Sequence, residues 1–157
     1  MTQALQTGDK APDFTLPSDG SGEVSLKDYS GQTVVLYFYP KDDTPGCTKE
    51  AIAFSEHLDQ FRKAGAVILG VSPDTAAKHD KFKAKHELSV TLLADEDTAV
   101  CEAYGVWKEK NMYGRKFMGV ERSTFLIGPD GKIIESWRKV RVPGHVEAVL
   151  EAAKAAG

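Results

Sequence analysis

Little in this sequence is extreme, and each shortage removes a class of function. Two cysteines, Cys47 and Cys101, stand in 157 residues, too few for a disulfide framework and suited to a reducing compartment. No apolar stretch approaches the ~20 residues that a membrane-spanning helix needs. The formal net charge is −3, from 20 basic and 23 acidic residues. The overall balance therefore gives no reason to expect nucleic acid or a membrane as partner. The four histidines, His57, His79, His86 and His145, include no close ligand pair. His79 and His86 could share one helix face, but solvent exposure is the expected state of both, and no metal site is expected. No Gly-x-x-x-x-Gly-Lys run is present to cradle a phosphate, and no cofactor is expected. Met1–Gln6 lacks the basic start and apolar middle of a secretion signal, which predicts a cytoplasmic protein.

What is present is ordinary globular composition, 41% hydrophobic and 27% charged, at a length that suits a single domain, residues 1–157. Asp13–Leu16 and Glu23–Leu26 alternate apolar and polar residues around Pro17, Asp19, Gly20 and Gly22, which predicts a β-hairpin. Thr33–Tyr39 and Ala66–Ser72 read as strands buried on both faces. Between them, Ala51, Phe54, Leu58 and Phe61 recur at helical spacing, and Gly65 is placed to end that helix near Lys63. Thr75–His86 reads as a helix with a weak apolar stripe, and Val90–Leu93 as a short strand. Asp95, Asp97 and Thr98 offer capping groups for a helix through Tyr104. Ser123–Ile127 and Lys132–Trp137 flank Gly128-Pro129-Asp130-Gly131, a second hairpin signal. Val146–Ala156 closes as an Ala-rich helix. Lys108–Met118 reads as a surface insertion, and no exposed apolar stripe stands out to argue against a monomer. The order predicts an α/β fold whose mixed sheet combines parallel crossovers with an antiparallel edge.

The most informative residue is Cys47, in the run Pro40-Lys41-Asp42-Asp43-Thr44-Pro45-Gly46-Cys47-Thr48-Lys49-Glu50. A strand leads in and a helix leads out, so the thiol falls in the first helical turn. Unpaired N–H groups and the helix dipole favour negative charge there, and the thiolate is the reactive form of cysteine. Against this stands the ordinary reading of a lone cysteine as a small buried hydrophobe.

The string Tyr37-Phe38-Tyr39-Pro40 through Thr44-Pro45-Gly46-Cys47-Thr48-Lys49-Glu50 resembles the peroxiredoxins, in the branch called bacterioferritin comigratory protein or peroxiredoxin Q. The resemblance continues in Gly70-Val71-Ser72-Pro73-Asp74, Glu121-Arg122-Ser123-Thr124-Phe125-Leu126-Ile127 and Val142-Pro143-Gly144-His145-Val146. It implies a thioredoxin-like fold with an N-terminal hairpin, and a peroxidase acting on hydrogen peroxide and organic hydroperoxides. Cys47 would attack the peroxide and become a sulfenic acid. Thr44 would hydrogen-bond the peroxide, Pro40 would shield the intermediate, and Arg122 would act on sulfur and substrate.

These residue types suit that chemistry. Thr44 has a hydroxyl that both donates and accepts, and the N–H groups of Gly46 and Cys47 are further donors to the substrate. Arg122 brings a charge that deprotonation cannot remove. Glu50 could hold Arg122 in place. Each has a plainer reading: Thr44 as an N-cap, Pro40 as a strand end, Arg122 as a structural ion-pair residue, Glu50 as a solvated carboxylate. Many members of the branch carry a resolving cysteine five residues after the peroxidatic one, here Ile52, and others on the next helix, here Lys83. Cys101 reads as a packed structural thiol. The expectation is a one-cysteine mechanism resolved by an external thiol: thioredoxin, glutaredoxin or glutathione. A Cys-x-x-Cys oxidoreductase is disfavoured by Glu50. A non-catalytic thiol module or holdase on the same fold is the alternative. The Lys81, Lys83, Lys85 alternation and the Arg138, Lys139, Arg141 cluster read as solvated faces, the second also as a docking surface for an acidic partner.

Overall fold

The computed structural model describes residues 5–20 and 22–156, so the reading of Met1–Gln6 falls mostly outside the described residues. Five strands make the central sheet: β3 (Thr33–Phe38), β4 (Ala66–Ser72), β5 (Thr91–Ala94), β8 (Ser123–Ile127) and β9 (Ile133–Arg138). Their order is β5-β4-β3-β8-β9. β3, β4 and β5 run parallel, and β8 and β9 add the antiparallel edge. This is the mixed sheet that the element order predicts. A separate antiparallel ribbon pairs β1 (Thr15–Pro17) with β2 (Glu23–Ser25).

β3 is buried along its whole length, so its alternating side chains feed two cores. Val34, Leu36 and Phe38 pack with Phe14, Leu26, Cys101, Tyr104 and Phe125. Cys101 and Tyr104 come from α4 (Ala99–Ala103) and the residue that ends it. On the opposite face, Val35, Tyr37 and Tyr39 pack with Cys47, Phe54, Phe61, Phe82 and Val149. These come from α1 (Pro45–Glu56), α2 (Leu58–Lys63), α3 (Ala76–His86) and α5 (His145–Ala156). The two cysteines therefore lie on opposite faces of the sheet.

Several expectations change on the structure. The helix expected to run unbroken to Lys63 is interrupted at His57, where the ring Nδ1 donates to the Ala53 carbonyl (2.8 Å). That carbonyl also receives the His57 N–H (3.2 Å), and the His57 backbone leaves helical values, at φ −98° and ψ 5°. The insertion at 108–118 is a twisted hairpin, β6 (Trp107–Met112) with β7 (Arg115–Val120). Tyr113 and Gly114 both take positive φ at its tip, as a two-residue hairpin turn requires. The hairpin exposes Met112, Tyr113, Phe117 and Met118, so an exposed apolar surface does exist. His79 is fully buried rather than solvated, because Asp42 meets its ring at 2.6 Å. Of the α3 lysines in that alternation, Lys81 and Lys85 are exposed as read, but Lys83 is half-buried and pairs with Asp19 (2.8 Å), and Lys85 pairs with Asp43 (2.7 Å). Arg138 stacks over the Phe125 ring at 5.2 Å.

One close approach positions the platform beneath α1. Tyr37 stacks on Phe54 of α1 with ring centroids 4.6 Å apart. Its ring crosses Gly70 of β4, where a Cβ would stand 2.7 Å from Tyr37 Cζ and 2.9 Å from Leu92 Cδ2. Only glycine leaves room at that point. We expect Gly70→Ala to destabilise the fold by about 1–3 kcal/mol, read from urea unfolding. An unchanged midpoint would mean that the Tyr37 ring is free to move.

Candidate active site

The loop after β3 delivers Cys47 into the first turn of α1. Thr44 is the N-cap, with extended backbone, and Pro45 opens the helix, where its missing N–H costs no helical bond. The helical ladder starts with the Thr48 N–H donating to the Thr44 carbonyl (2.8 Å). The N–H groups of Gly46 and Cys47 precede it and have no acceptor within the helix. The Thr44 side chain does not cap that end. Its hydroxyl donates instead to the Lys41 carbonyl (2.9 Å), leaving its lone pairs free to accept a hydrogen bond from a bound molecule.

Arg122 comes from the segment joining β7 to β8, just outside the strand on which the sequence suggests it. The Val140 N–H donates to its carbonyl (3.0 Å). Its Nη2 donates to Cys47 Sγ at 3.2 Å and its Nη1 to Glu50 Oε1 at 2.7 Å. Gly46 permits this closeness, since a Cβ there would meet Arg122 Nη2 at 3.2 Å. Cys47 is 2% exposed. Pro40 is half-buried at the start of the loop. Cys47, Thr44, Arg122, Gly46 and Glu50 thus converge on one end of α1.

Glu50 is not a solvated surface carboxylate: it is fully buried. Burial pushes its pKa up to about 7, with the Arg122 charge and hydrogen bond opposing. Its second oxygen, Oε2, has no hydrogen-bond partner among the described residues. Burial opposes the Arg122 charge, yet Glu50 and Cys47 outweigh it and hold the guanidinium pKa above its ordinary value. Breaking such a buried pair by removing one partner costs about 3–5 kcal/mol. Behind this group, Thr124 Oγ1 lies 2.8 Å from His145 Nε2. Burial first, then Arg122, push the His145 pKa down to about 4, so the ring is neutral at physiological pH.

Lys110, Asp42 and His79, at or near the site, escape the sequence reading. Lys110 of β6 lies close enough for Arg122, after burial, to push its ammonium pKa down. Its stem runs against Gly119, with Cδ 3.3 Å from where a Cβ would stand. In the sequence it falls within the Lys108–Met118 insertion, with no pattern that marks it. Asp42 and His79 form a buried pair just upstream of Thr44, and their separation along the chain gave no local pattern. Cys101 is fully buried, with its backbone N–H held by Asp95 (2.7 Å). Burial and then Asp95 push its thiol pKa well up.

The Glu50 environment has a measurable consequence. A carboxyl whose folded pKa is raised contributes stability that is complete below its unfolded value and lost as pH rises through the folded one. The window therefore runs from about pH 4.5 to about pH 7. We expect Glu50→Gln to flatten the fall in unfolding free energy across that window by on the order of 1–3 kcal/mol. Urea titrations at several pH values measure it. A wild-type profile already flat there contradicts the assignment.

Residues 7–136 match the family described as AhpC/TSA. Peroxiredoxin Bcp of Bacillus subtilis is 50% identical over 150 residues, covering 96% of each chain. A cysteine-to-serine variant of Xylella fastidiosa PrxQ superposes with a TM-score of 0.92 at 45% identity, covering 98% of each chain. Structures of the Xanthomonas campestris bacterioferritin comigratory protein, determined to study its alkyl peroxide reduction activity, superpose at 0.88 with 48% identity over 96% of each chain. With matches spanning nearly the full length and the fold shared, this chain belongs to the AhpC/TSA family, in its Bcp (PrxQ) peroxiredoxin branch.

Proposed function

We propose that the protein is a thiol peroxidase that reduces hydrogen peroxide and organic hydroperoxides at Cys47. The observation that carries this reading is the 3.2 Å contact from Arg122 Nη2 to the Cys47 sulfur, with Glu50 holding the same guanidinium at 2.7 Å. The cation and its N–H groups sit where charge develops as the O–O bond breaks, and they need no rearrangement at that moment. A non-catalytic thiol module has no use for such a cluster.

The Cys47 thiolate attacks the distal peroxide oxygen in line with the O–O bond. The bonding pair leaves with the other oxygen, which takes a proton and departs as water or an alcohol, and the sulfur becomes a sulfenic acid. Thr44, whose own proton is engaged by Lys41, accepts a hydrogen bond from the hydroperoxide. The N–H groups of Gly46 and Cys47 and the Arg122 guanidinium donate to its oxygens. Pro40, with no N–H, narrows access to the sulfur.

Resolution comes from outside. Cys101 packs in the core on the far face of the sheet, and a disulfide requires Cα atoms within about 7 Å. An external thiol attacks the sulfenic sulfur and releases water, and a second thiol frees Cys47 from the mixed disulfide. Thioredoxin, glutaredoxin and glutathione all fit this role. Lys83, Lys85 and His86 tie α3 to Asp19 and Asp43, which supports a cycle in which α3 stays folded. One domain carries the whole reaction, and dependence on reduced thiols suits the cytoplasm.

Three variants and one mass measurement test this reading. Cys47→Ser should abolish peroxide consumption. Thr44→Val and Arg122→Lys should each lower kcat/KM about tenfold or more. Intact mass after one equivalent of peroxide should gain one oxygen on Cys47. A quantitative Cys47–Cys101 disulfide would overturn the one-cysteine cycle, and full activity of Cys47→Ser would overturn the peroxidase.

A further inference from the structure

The loop that carries Thr44 is held from behind by a buried polar network that the reaction itself does not touch. Asp42 lies in it, with its side chain only 5% exposed, and His79 of α3 is at 0%. His79 Nδ1 meets Asp42 Oδ2 at 2.6 Å, and His79 Nε2 meets the Leu93 carbonyl of β5 at 2.9 Å. A carbonyl and a carboxylate only accept. Both ring nitrogens therefore face acceptors, and the imidazolium form, with a hydrogen on each, satisfies both. The Tyr39 hydroxyl donates to the other Asp42 oxygen (2.6 Å). The Asp42 N–H donates to Asp74 Oδ2 (2.8 Å), which also receives the Ser72 hydroxyl (2.7 Å). Side chain and backbone of Asp42 are thus both fixed, by β4, β5 and α3 together.

The adjoining residues carry that constraint to the site. Lys41, bonded directly to Asp42, offers the carbonyl that receives the Thr44 hydroxyl. Asp43 takes a left-handed backbone, φ +61°, which an ordinary side chain adopts only when its surroundings compel it. Lys85 and His86 hold its carboxylate at 2.7 and 2.8 Å. We propose that His79 is a positioning residue for the peroxidase reaction: its buried ion pair with Asp42 fixes the Lys41 carbonyl, and that carbonyl aims the Thr44 hydroxyl into the Cys47 pocket. This rests on the peroxidase reading given above.

The groups facing His79 set its response to pH. They are Tyr39 and Asp42 from the segment after β3, Asp74 from the turn after β4, and the Leu93 carbonyl from β5. Lys78 of α3 lies 4.0 Å from the outer Asp74 oxygen. Burial works against the ring's charge, but the Asp42 hydrogen bond and charge, Leu93 and Asp74 outweigh it, and the His79 pKa is raised. The hold is therefore complete below the ordinary histidine value and is lost as pH rises through the folded one. Loss of the proton leaves a buried carboxylate short of a donor, and the loop relaxes.

The test follows reduced enzyme by stopped flow, comparing peroxide oxidation of Cys47 with its alkylation by iodoacetamide across pH. Alkylation needs the sulfur but not Thr44. In wild type the peroxide rate should pass a maximum and fall on the alkaline side, while alkylation reaches a plateau. His79→Gln should lower the peroxide rate about tenfold at neutral pH, change alkylation less than twofold, and lose the alkaline fall. Asp42→Asn combined with His79→Gln should be no worse than either alone. Amide exchange over residues 40–48 should quicken about tenfold in His79→Gln, and this reads the clamp even in a protein that consumes no peroxide. Wild-type rates that track one another to alkaline pH overturn the proposal, as does unchanged exchange over 40–48. Should His79→Gln fail to fold, Tyr39→Phe, which removes one Asp42 donor, replaces it in the exchange measurement, and the wild-type pH comparison needs no variant.

Discussion

Everything at the reactive end of this molecule depends on a buried carboxylate holding a guanidinium against a sulfur. Glu50 and Cys47 lie on the same helix, one turn apart, and Arg122 closes the triangle from the far end of the chain. The carboxylate sits where it is costly to ionise, and its raised pKa measures that cost. Arginine answers the cost because its planar fork satisfies two acceptors at once and keeps its charge while half-buried. The arrangement spends stability on geometry.

The fold makes that geometry rigid in two steps. The Tyr37–Phe54 stack fixes the body of α1 on the sheet, and Gly70 clears the floor beneath it. The approach to α1 is then tied down from α3, through His79 on Asp42 and through Lys85 and His86 on Asp43. Helix and loop are anchored to different parts of the sheet, and Thr44 stands where the two anchorages meet.

How much of this was readable beforehand follows from how local each cause is. β4 matches its expected span end to end and β3 falls one residue short, because unbroken β-branched and aromatic runs have few alternatives. Gly65, with φ +78°, ends its helix where a left-handed residue was called for. The ribbon at 107–120 stayed hidden because its strands are rich in Lys, Glu and Asn, poor strand formers. Its register is set by the Tyr113-Gly114 turn instead. The burial of His79 was equally invisible. α3 reads as polar, and the partner that makes burial tolerable lies 37 residues upstream. In the site, the helix start gave Cys47 and the family likeness gave Thr44 and Arg122. The placement of Glu50 behind Arg122 was only one of two readings, since a carboxylate on a helix says nothing of which face is covered.

The division of the two cysteines between opposite faces of the sheet has a kinetic meaning. In the proposed cycle, resolved from outside, the lifetime of the oxidised sulfur would be set by the supply of reductant in the surrounding fluid. Turnover in that cycle would report the thiol reserve of the cell as much as its oxidant load. When that reserve runs low, the waiting sulfenic acid stays open to a further oxidant molecule and to irreversible loss.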